Sequence, residues 1–142
     1  MKLVKHLLDA KGRDIISIDR GLSVLDAIKL MADKSVGALV VMQDGKLIGI
    51  VTERDYARKV IIKGRSSKST RVDEIMTVNV STTTPDQTVD ECMGLMSAGR
   101  FRHLPVVENN DIVGVISIGD LVQAIIADQK EEIEQLEHYI SG

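Results

Sequence analysis

The chain repeats itself at an offset of 65 residues, without a gap, between 23–61 and 88–126. Ser23-Val24-Leu25-Asp26-Ala27-Ile28-Lys29-Leu30-Met31 lies over Thr88-Val89-Asp90-Glu91-Cys92-Met93-Gly94-Leu95-Met96, and Leu47-Ile48-Gly49-Ile50-Val51-Thr52 lies over Ile112-Val113-Gly114-Val115-Ile116-Ser117. Eight positions are identical: Val24, Leu30, Met31, Leu39, Val41, Gly49, Asp55 and Ile61 with their partners. A fixed period of this kind marks a duplicated supersecondary unit. A unit of about 60 residues buries little core alone, so the two halves are expected to form one module.

Each copy carries the same punctuation. A short β-rich stretch, Ile15-Ile16-Ser17-Ile18 or Val80-Ser81-Thr82-Thr83, precedes a helix that starts after Ser23 or Thr88. Either hydroxyl is a good N-cap, because its oxygen satisfies a free N–H of the first turn. Val24, Ala27, Ile28 and Met31 recur at i, i+3, i+4 and i+7, one apolar face, and Val89, Cys92, Met93 and Met96 repeat it. Cys92 is therefore read as a buried helix-face thiol. Strands are predicted over 37–42 and 46–51 around Gln43-Asp44-Gly45, a hairpin signal, with Glu108-Asn109-Asn110-Asp111 as its counterpart. A second helix begins at Glu53 or Ile118. The later one is predicted to run to about Ile140, with Ile126, Ile133, Leu136 and Ile140 on one stripe and acidic residues opposite. Lys63-Gly64-Arg65-Ser66-Ser67-Lys68-Ser69-Thr70 reads as a polar, flexible connection. The domain reading is thus 3–62 for the first repeat, 63–71 for a linker, 72–127 for the second repeat and 128–142 for an amphipathic tail.

Composition removes several classes of function. One cysteine forms neither an internal disulfide nor a cysteine-based zinc site. No apolar run approaches the ~20 residues of a membrane span, and the first residues lack a signal-peptide core, so a cytoplasmic protein without a membrane partner is expected. Tyr56, Phe101 and Tyr139 are the only aromatics, too few for base-stacking platforms, and no nucleic-acid partner is expected. There is no Walker-type loop, no metal-spaced histidine pair and no histidine near Cys92, so neither an enzyme nor a metal site is expected. The net charge of −3 conceals a split: residues 1–71 carry 15 Lys and Arg against 8 Asp and Glu, whereas 72–142 carry 3 against 13. Such halves can attract each other across an interface or steer an anion.

Two β-α-β-β-α units, each closed by Gly-apolar-apolar-Thr/Ser-x-x-Asp, resemble a tandem cystathionine beta-synthase (CBS) domain pair. The closing motifs are Gly49-Ile50-Val51-Thr52-Glu53-Arg54-Asp55 and Gly114-Val115-Ile116-Ser117-Ile118-Gly119-Asp120. Arg102-His103-Leu104-Pro105-Val106-Val107 is similar to the family's second strand, and the chain as a whole looks like a bacterial stand-alone pair. The resemblance implies an α/β (α+β) fold: two repeats packed with pseudo-twofold symmetry, plus a C-terminal helical extension. It also implies a regulatory sensor that binds AMP, ADP, ATP or NAD(H) in clefts between the repeats and signals by a conformational change. A homodimer, an unidentified regulated protein and no catalytic cofactor complete that expectation. The alternative is an assembly protein with non-functional clefts, acting through dimerisation and its C-terminal helix.

Asp55 and Asp120 fall in the first turn of a predicted helix, where the dipole favours a carboxylate. Each either complements that helix end or, as the resemblance implies, accepts both hydroxyls of a ribose. Thr52 and Ser117 are caps of the same helices, and Arg54 and Gly119 complete N-termini whose N–H groups suit a phosphate. Arg100 and Arg102 are the only Lys or Arg residues between 72 and 127. They either pair with carboxylates or bind phosphate, and His103 either joins them or packs as a half-buried imidazole. The first repeat has Ser35, Gly37 and Ala38 at the matching positions, so its cations would come from Arg54, Arg58 or Lys59. Ser17, Gly37, Ala38, Thr82, Thr83 and Thr84 are candidate cleft-lining residues. Gly49 and Gly114, inside apolar strands, signal close backbone approach or a bulge.

Overall fold

A computed structural model of the chain describes residues 2–141. The fold is mixed α+β with small sheets, and the chain forms two compact units. One comprises the described residues of 1–14, 82–108 and 113–142; the other comprises Ile15–Ser81 and Asn109–Ile112.

In the second of these units, β1 (Ser17–Ile18) pairs parallel with β2 (Ala38–Gln43), which pairs antiparallel with β3 (Lys46–Thr52). Asp44 and Gly45 turn the hairpin at φ 52° and 76°, the left-handed conformation a two-residue turn requires. The ladder slips between Val41 and Met42, so Gly49 opposes Val41 while Leu47 opposes Met42. Gly49 serves both of its expected purposes: it adjoins this irregularity, and a Cβ there would stand 2.7 Å from Met76 Sδ and 3.0 Å from the Thr77 carbonyl. Between the two strands and their covering helices, Val24, Ala27, Met31, Leu39, Val41, Val51, Val60, Val72 and Ile75 form an aliphatic core.

Helix α2 (Val24–Lys34) starts where expected, with the Asp26 N–H donating to Ser23 Oγ at 3.1 Å. The segment after β3 departs from the expected plain helix. It is a single turn, α3 (Glu53–Tyr56), followed by a π-helical turn, Ala57–Ile61. Residues 63–71 are pinned rather than a loose connection. Val24 N–H donates to the Thr70 carbonyl at 2.8 Å, Leu25 N–H donates to the Ser67 carbonyl at 3.0 Å, and Thr70 is buried.

The other unit holds α5 (Val89–Gly99), β4 (His103–Glu108), β5 (Asp111–Ser117) from Val113 onward, and the 24-residue α6 (Ile118–Ser141). Thr88 caps α5 in a capping box with Glu91. Asn109 and Asn110, at φ 53° and 68°, turn β4 into β5 as Asp44 and Gly45 do in the first copy. Cys92 is fully buried in this core with Met96, Leu104, Val106, Ile116 and Leu121.

The strand expected over 80–83 is reduced to one bridge, Thr83 to Val106. Its cause is a proline. In the first copy, Val40 N–H donates to the Ile16 carbonyl at 3.2 Å, and the residue 65 positions on from Val40 is Pro105, which has no N–H to offer. Only the next rung survives: Thr83 N–H donates to the Pro105 carbonyl, and Val107 N–H donates to the Thr83 carbonyl.

The leading segments follow one hydrogen-bonding rule. Helix α1 (Val4–Lys11) attaches through Val4 N–H to the Gln87 carbonyl and Lys5 N–H to the Pro85 carbonyl, both 2.9 Å. Helix α4 (Val72–Ile75) attaches through Val72 N–H to Leu22 and Asp73 N–H to Arg20, at 2.9 and 3.0 Å. Gln87 and Pro85 lie 65 residues beyond Leu22 and Arg20, so each leading helix docks at the same place on a repeat. Thus α1 packs Val4, Leu7 and Leu8 into the core of the 82–108 segment, and α4 packs Val72 and Ile75 into that of 15–81. A Cβ on Gly114 would meet Leu8 Cδ2 at 2.6 Å, as one on Gly49 would meet Met76.

Candidate functional site

In each unit the closing strand runs into a capping box. The Asp55 N–H donates to Thr52 Oγ1 at 3.1 Å, while Thr52 N–H and Oγ1–H donate to Asp55 Oδ2 at 3.0 and 3.1 Å. Asp120 N–H donates to Ser117 Oγ at 3.2 Å, and Ser117 N–H returns a bond to Asp120 Oδ2 at 2.7 Å. The reciprocal pair satisfies two backbone donors that a helix start leaves open. It also fixes the position of each carboxylate, so both aspartates do complement their helix ends.

Each carboxylate also holds a lysine, drawn from different places in the two units. Lys59 Nζ lies 3.0 Å from Asp55 Oδ1 and donates to the Ile75 carbonyl at 2.7 Å. Lys11 Nζ lies 2.6 Å from Asp120 Oδ2 and donates to the Val115 carbonyl at 2.9 Å. Lys59 is one of the three candidate cations of the first repeat. Lys11 escapes motif reading because that compares positions within one repeat, whereas Lys11 belongs to the first repeat and Asp120 to the second. The signal was available: Val4, Leu7 and Leu8 share one helical face, and Lys11 ends that helix before Gly12.

Around Asp120 the unit gathers Arg102, His103 and Gly119. Ile118 N–H donates to the Arg102 carbonyl at 2.9 Å, which sets the exposed Arg102 beside the α6 start. His103 is half-buried, and burial pushes its imidazole below the usual range; the nearby Lys11 ammonium adds to that push, and Asp120 opposes it. Burial works to raise the Asp120 carboxyl, but the Lys11 and Ser117 hydrogen bonds outweigh it and hold the group below its ordinary value. Arg100 occupies the left-handed C-cap position of α5 at φ 57°, as Ser35 does for α2 at φ 56°. Gly119 lies in the first turn of α6, exposed, with open space at its Cβ down to Ser117 Oγ at 3.6 Å.

Around Asp55 the arrangement is sparser. Glu53 N–H donates to the Gly37 carbonyl at 3.1 Å, and Ala38 pairs with Thr52 across β2 and β3, so both candidates adjoin the capping turn. Arg54 is exposed on that turn and Arg58 on the π-helical turn. Ser17 is exposed opposite Val40. Of the three threonines, Thr82 and Thr84 are exposed, whereas Thr83 is buried and its hydroxyl meets Gln87 and, at 3.4 Å, Cys92 Sγ. That side chain faces core rather than a surface. The Cys92 thiol is pushed up by burial, against the Thr83 contact that lowers it, so it stays protonated and unreactive.

Among the described residues no His, Cys, Asp and Glu cluster could hold a metal, and no helix is long and apolar enough to cross a membrane. A separate groove on the same unit as Asp120 is lined by Lys2, Asp90, Ile125, Asp128, Glu131 and Glu132 among others, an acidic lining unsuited to a phosphate.

Repeat and capped carboxylates together define a duplicated α+β module with one aspartate-capped helix start per copy. The CBS domain family model matches residues 7–62 and again 72–127, and the chain belongs to that family as a tandem pair. CBS pairs are regulatory modules. A structure with CBS domains from Burkholderia ambifaria MC40-6 is 53% identical, with TM-score 0.87, covering 90% of this chain and 96% of that one. The mitochondrial CBS domain-containing protein CBSX3 of Arabidopsis thaliana is 47% identical over 125 residues, 84% of this chain. The chain spans 61% of the length of CBSX3 and 25% of that of the Arabidopsis relative CBSCBSPB2. The CBS domain pair of protein MJ0100, solved with 5′-methylthioadenosine and S-adenosyl-L-methionine, is 27% identical with TM-score 0.79, covering 90% of this chain and 98% of that one.

Proposed function

We propose that the chain is a non-catalytic cytoplasmic sensor that binds an adenosine-containing nucleotide, AMP, ADP, ATP or NAD(H), at the capped carboxylates Asp120 and Asp55. The observation that carries the reading is the Asp120 cluster. One fixed carboxylate suits a ribose diol, while Lys11, Arg102 and the α6 N-terminus supply positive charge for phosphates. Thr52, Arg54, Arg58, Ser17, Gly37 and Ala38 serve the Asp55 site in this reading, and Ser117, Gly119, Arg100, His103, Thr82 and Thr84 the Asp120 site. The adenosine ligands of MJ0100 support the ligand class. With three aromatics in the chain, adenine lies between aliphatic side chains and backbone, and hydrogen bonds set its specificity. Ligand binds one arrangement of the repeats better than another and so shifts their population, which a regulated partner reads. Isothermal titration with AMP, ATP, NADH and S-adenosylmethionine tests this. Binding of at least one below millimolar Kd is expected, and binding of none overturns it.

A second reading concerns assembly. Helix α6 exposes Ile126, Ile133, Leu136 and Ile140, the last 82% exposed, on the expected stripe. We assign that stripe to a homodimer contact. Truncation after Asp128 is expected to yield monomer by sedimentation with nucleotide binding kept; an unchanged oligomeric state contradicts the assignment.

A further inference from the structure

Lys11 and Asp120 are 109 residues apart in sequence and 2.6 Å apart in space. The pair depends on a difference between the two leading helices. Helix α4 stops at Ile75 after one turn, and Met76 is already extended at ψ 151°. Helix α1 continues to Lys11, and its last turn carries the ammonium to Asp120 and to the Val115 carbonyl. Lys59, which meets Asp55, projects instead from the π-helical turn of its own repeat, and its copy-two position is Ala124. The two carboxylates are thus built alike but electrostatically supplied by different segments.

A ribose diol whose two hydroxyls donate to both oxygens of Asp120 competes with Lys11 at Oδ2. The Lys11 bond is charge-assisted and short, and giving it up is costly unless the ammonium gains another anion. A neutral nucleoside offers none. A phosphorylated one does, within reach of a flexible four-carbon stem. A sulfonium ligand adds a like charge beside Lys11 and Arg102. We infer that Lys11 is the specificity residue of the Asp120 site, selecting phosphate-bearing adenosine ligands over neutral and cationic ones. The inference rests on the nucleotide reading above and adds what sets its ligand class. Discrimination arises here as a difference of affinities, with a penalty on the wrong ligand as well as a reward for the right one.

The test is titration of the full chain and of Lys11→Met with AMP, adenosine and S-adenosylmethionine, by calorimetry and by the NMR signals of the His103 ring, which report the Asp120 site specifically. Lys11→Met keeps the stem and removes the charge. The wild-type chain is expected to prefer AMP, and the variant to bind AMP about tenfold more weakly with adenosine unchanged or tighter, as loss of one charge-assisted contact implies. Lys11→Arg should retain most of the preference. If AMP shifts the wild-type His103 signals but Lys11→Met leaves the AMP-to-adenosine ratio unchanged, the inference fails and the nucleotide reading stands. If the wild-type chain binds none of the three, the inference fails, and if it binds neither ATP nor NADH either, the nucleotide reading fails with it.

Discussion

Lys59 Nζ sits 3.0 Å from Asp55 Oδ1, while Asp55 Oδ2 receives the N–H and hydroxyl of Thr52. Both oxygens of this carboxylate therefore support the turn that leaves β3. Thr52→Val keeps the shape of the side chain and removes the cap. It is expected to cost about 1 kcal/mol in urea unfolding, the usual magnitude for a lost N-cap. No change in midpoint would show that α3 does not depend on its box.

The two strand glycines should differ in tolerance. A Cβ at Gly49 meets Met76 Sδ and, at 3.0 Å, the Thr77 carbonyl, and Thr77 is itself hydrogen-bonded to Ile50 in both directions. The atoms nearest a Cβ at Gly114 all belong to the Leu8 side chain. Backbone yields less readily than a leucine rotamer, so Gly49→Ala is expected to be the more destabilising, by about 1–3 kcal/mol. Equal unfolding midpoints for the two variants would contradict this.

Pro105 breaks a ladder that the first copy completes through Val40. Pro105→Val restores a donor at a buried position, where an N–H needs a partner. Slow hydrogen exchange at the new amide 105 is expected, as for the bonded amide of Val40. Exchange at the rate of an exposed loop amide would show that residues 80–82 are kept from pairing by something else.

Acid should weaken the Asp120 cluster in two stages. The folded His103 is depressed by burial, so the unfolded state binds its proton first. That stabilisation is complete above the unfolded value of about 6.5 and is lost as pH falls through the folded one. The folded Asp120 is also depressed, because its hydrogen bonds outweigh burial, so its contribution is complete above about 4 and is lost below. Thermal midpoints between pH 7 and 5 are expected to fall in the wild type and to fall less in His103→Gln. Parallel curves would remove His103 from the account.

Much of this was legible in the sequence because it depends on local rules. Ser23 and Thr88 cap their helices, Asp44-Gly45 and Asn109-Asn110 turn their hairpins, and the apolar faces of Val24 and Val89 point inward. The missing strand at 80–83 is legible too, because Pro105 stands at the ladder position of Val40 and has no N–H to offer. What the gapless alignment of 23–61 with 88–126 leaves out is α1. Its docking on Gln87 and Pro85 follows from tertiary packing, and with it comes Lys11, a cation at Asp120 that the motif does not encode. The π-helical turn at Ala57–Ile61 has no sequence signal that we can name.

The central claim is that Asp120 holds a ribose and not only a helix start. Calorimetric titration of AMP into the wild-type chain and into Asp120→Ala, each shown to be folded by circular dichroism, tests it most directly. The account predicts binding to the wild type and at least about tenfold weaker binding to the variant, the loss expected when hydrogen bonds to a charged acceptor are removed. Equal affinity in two folded proteins would show that Asp120 serves the capping box alone.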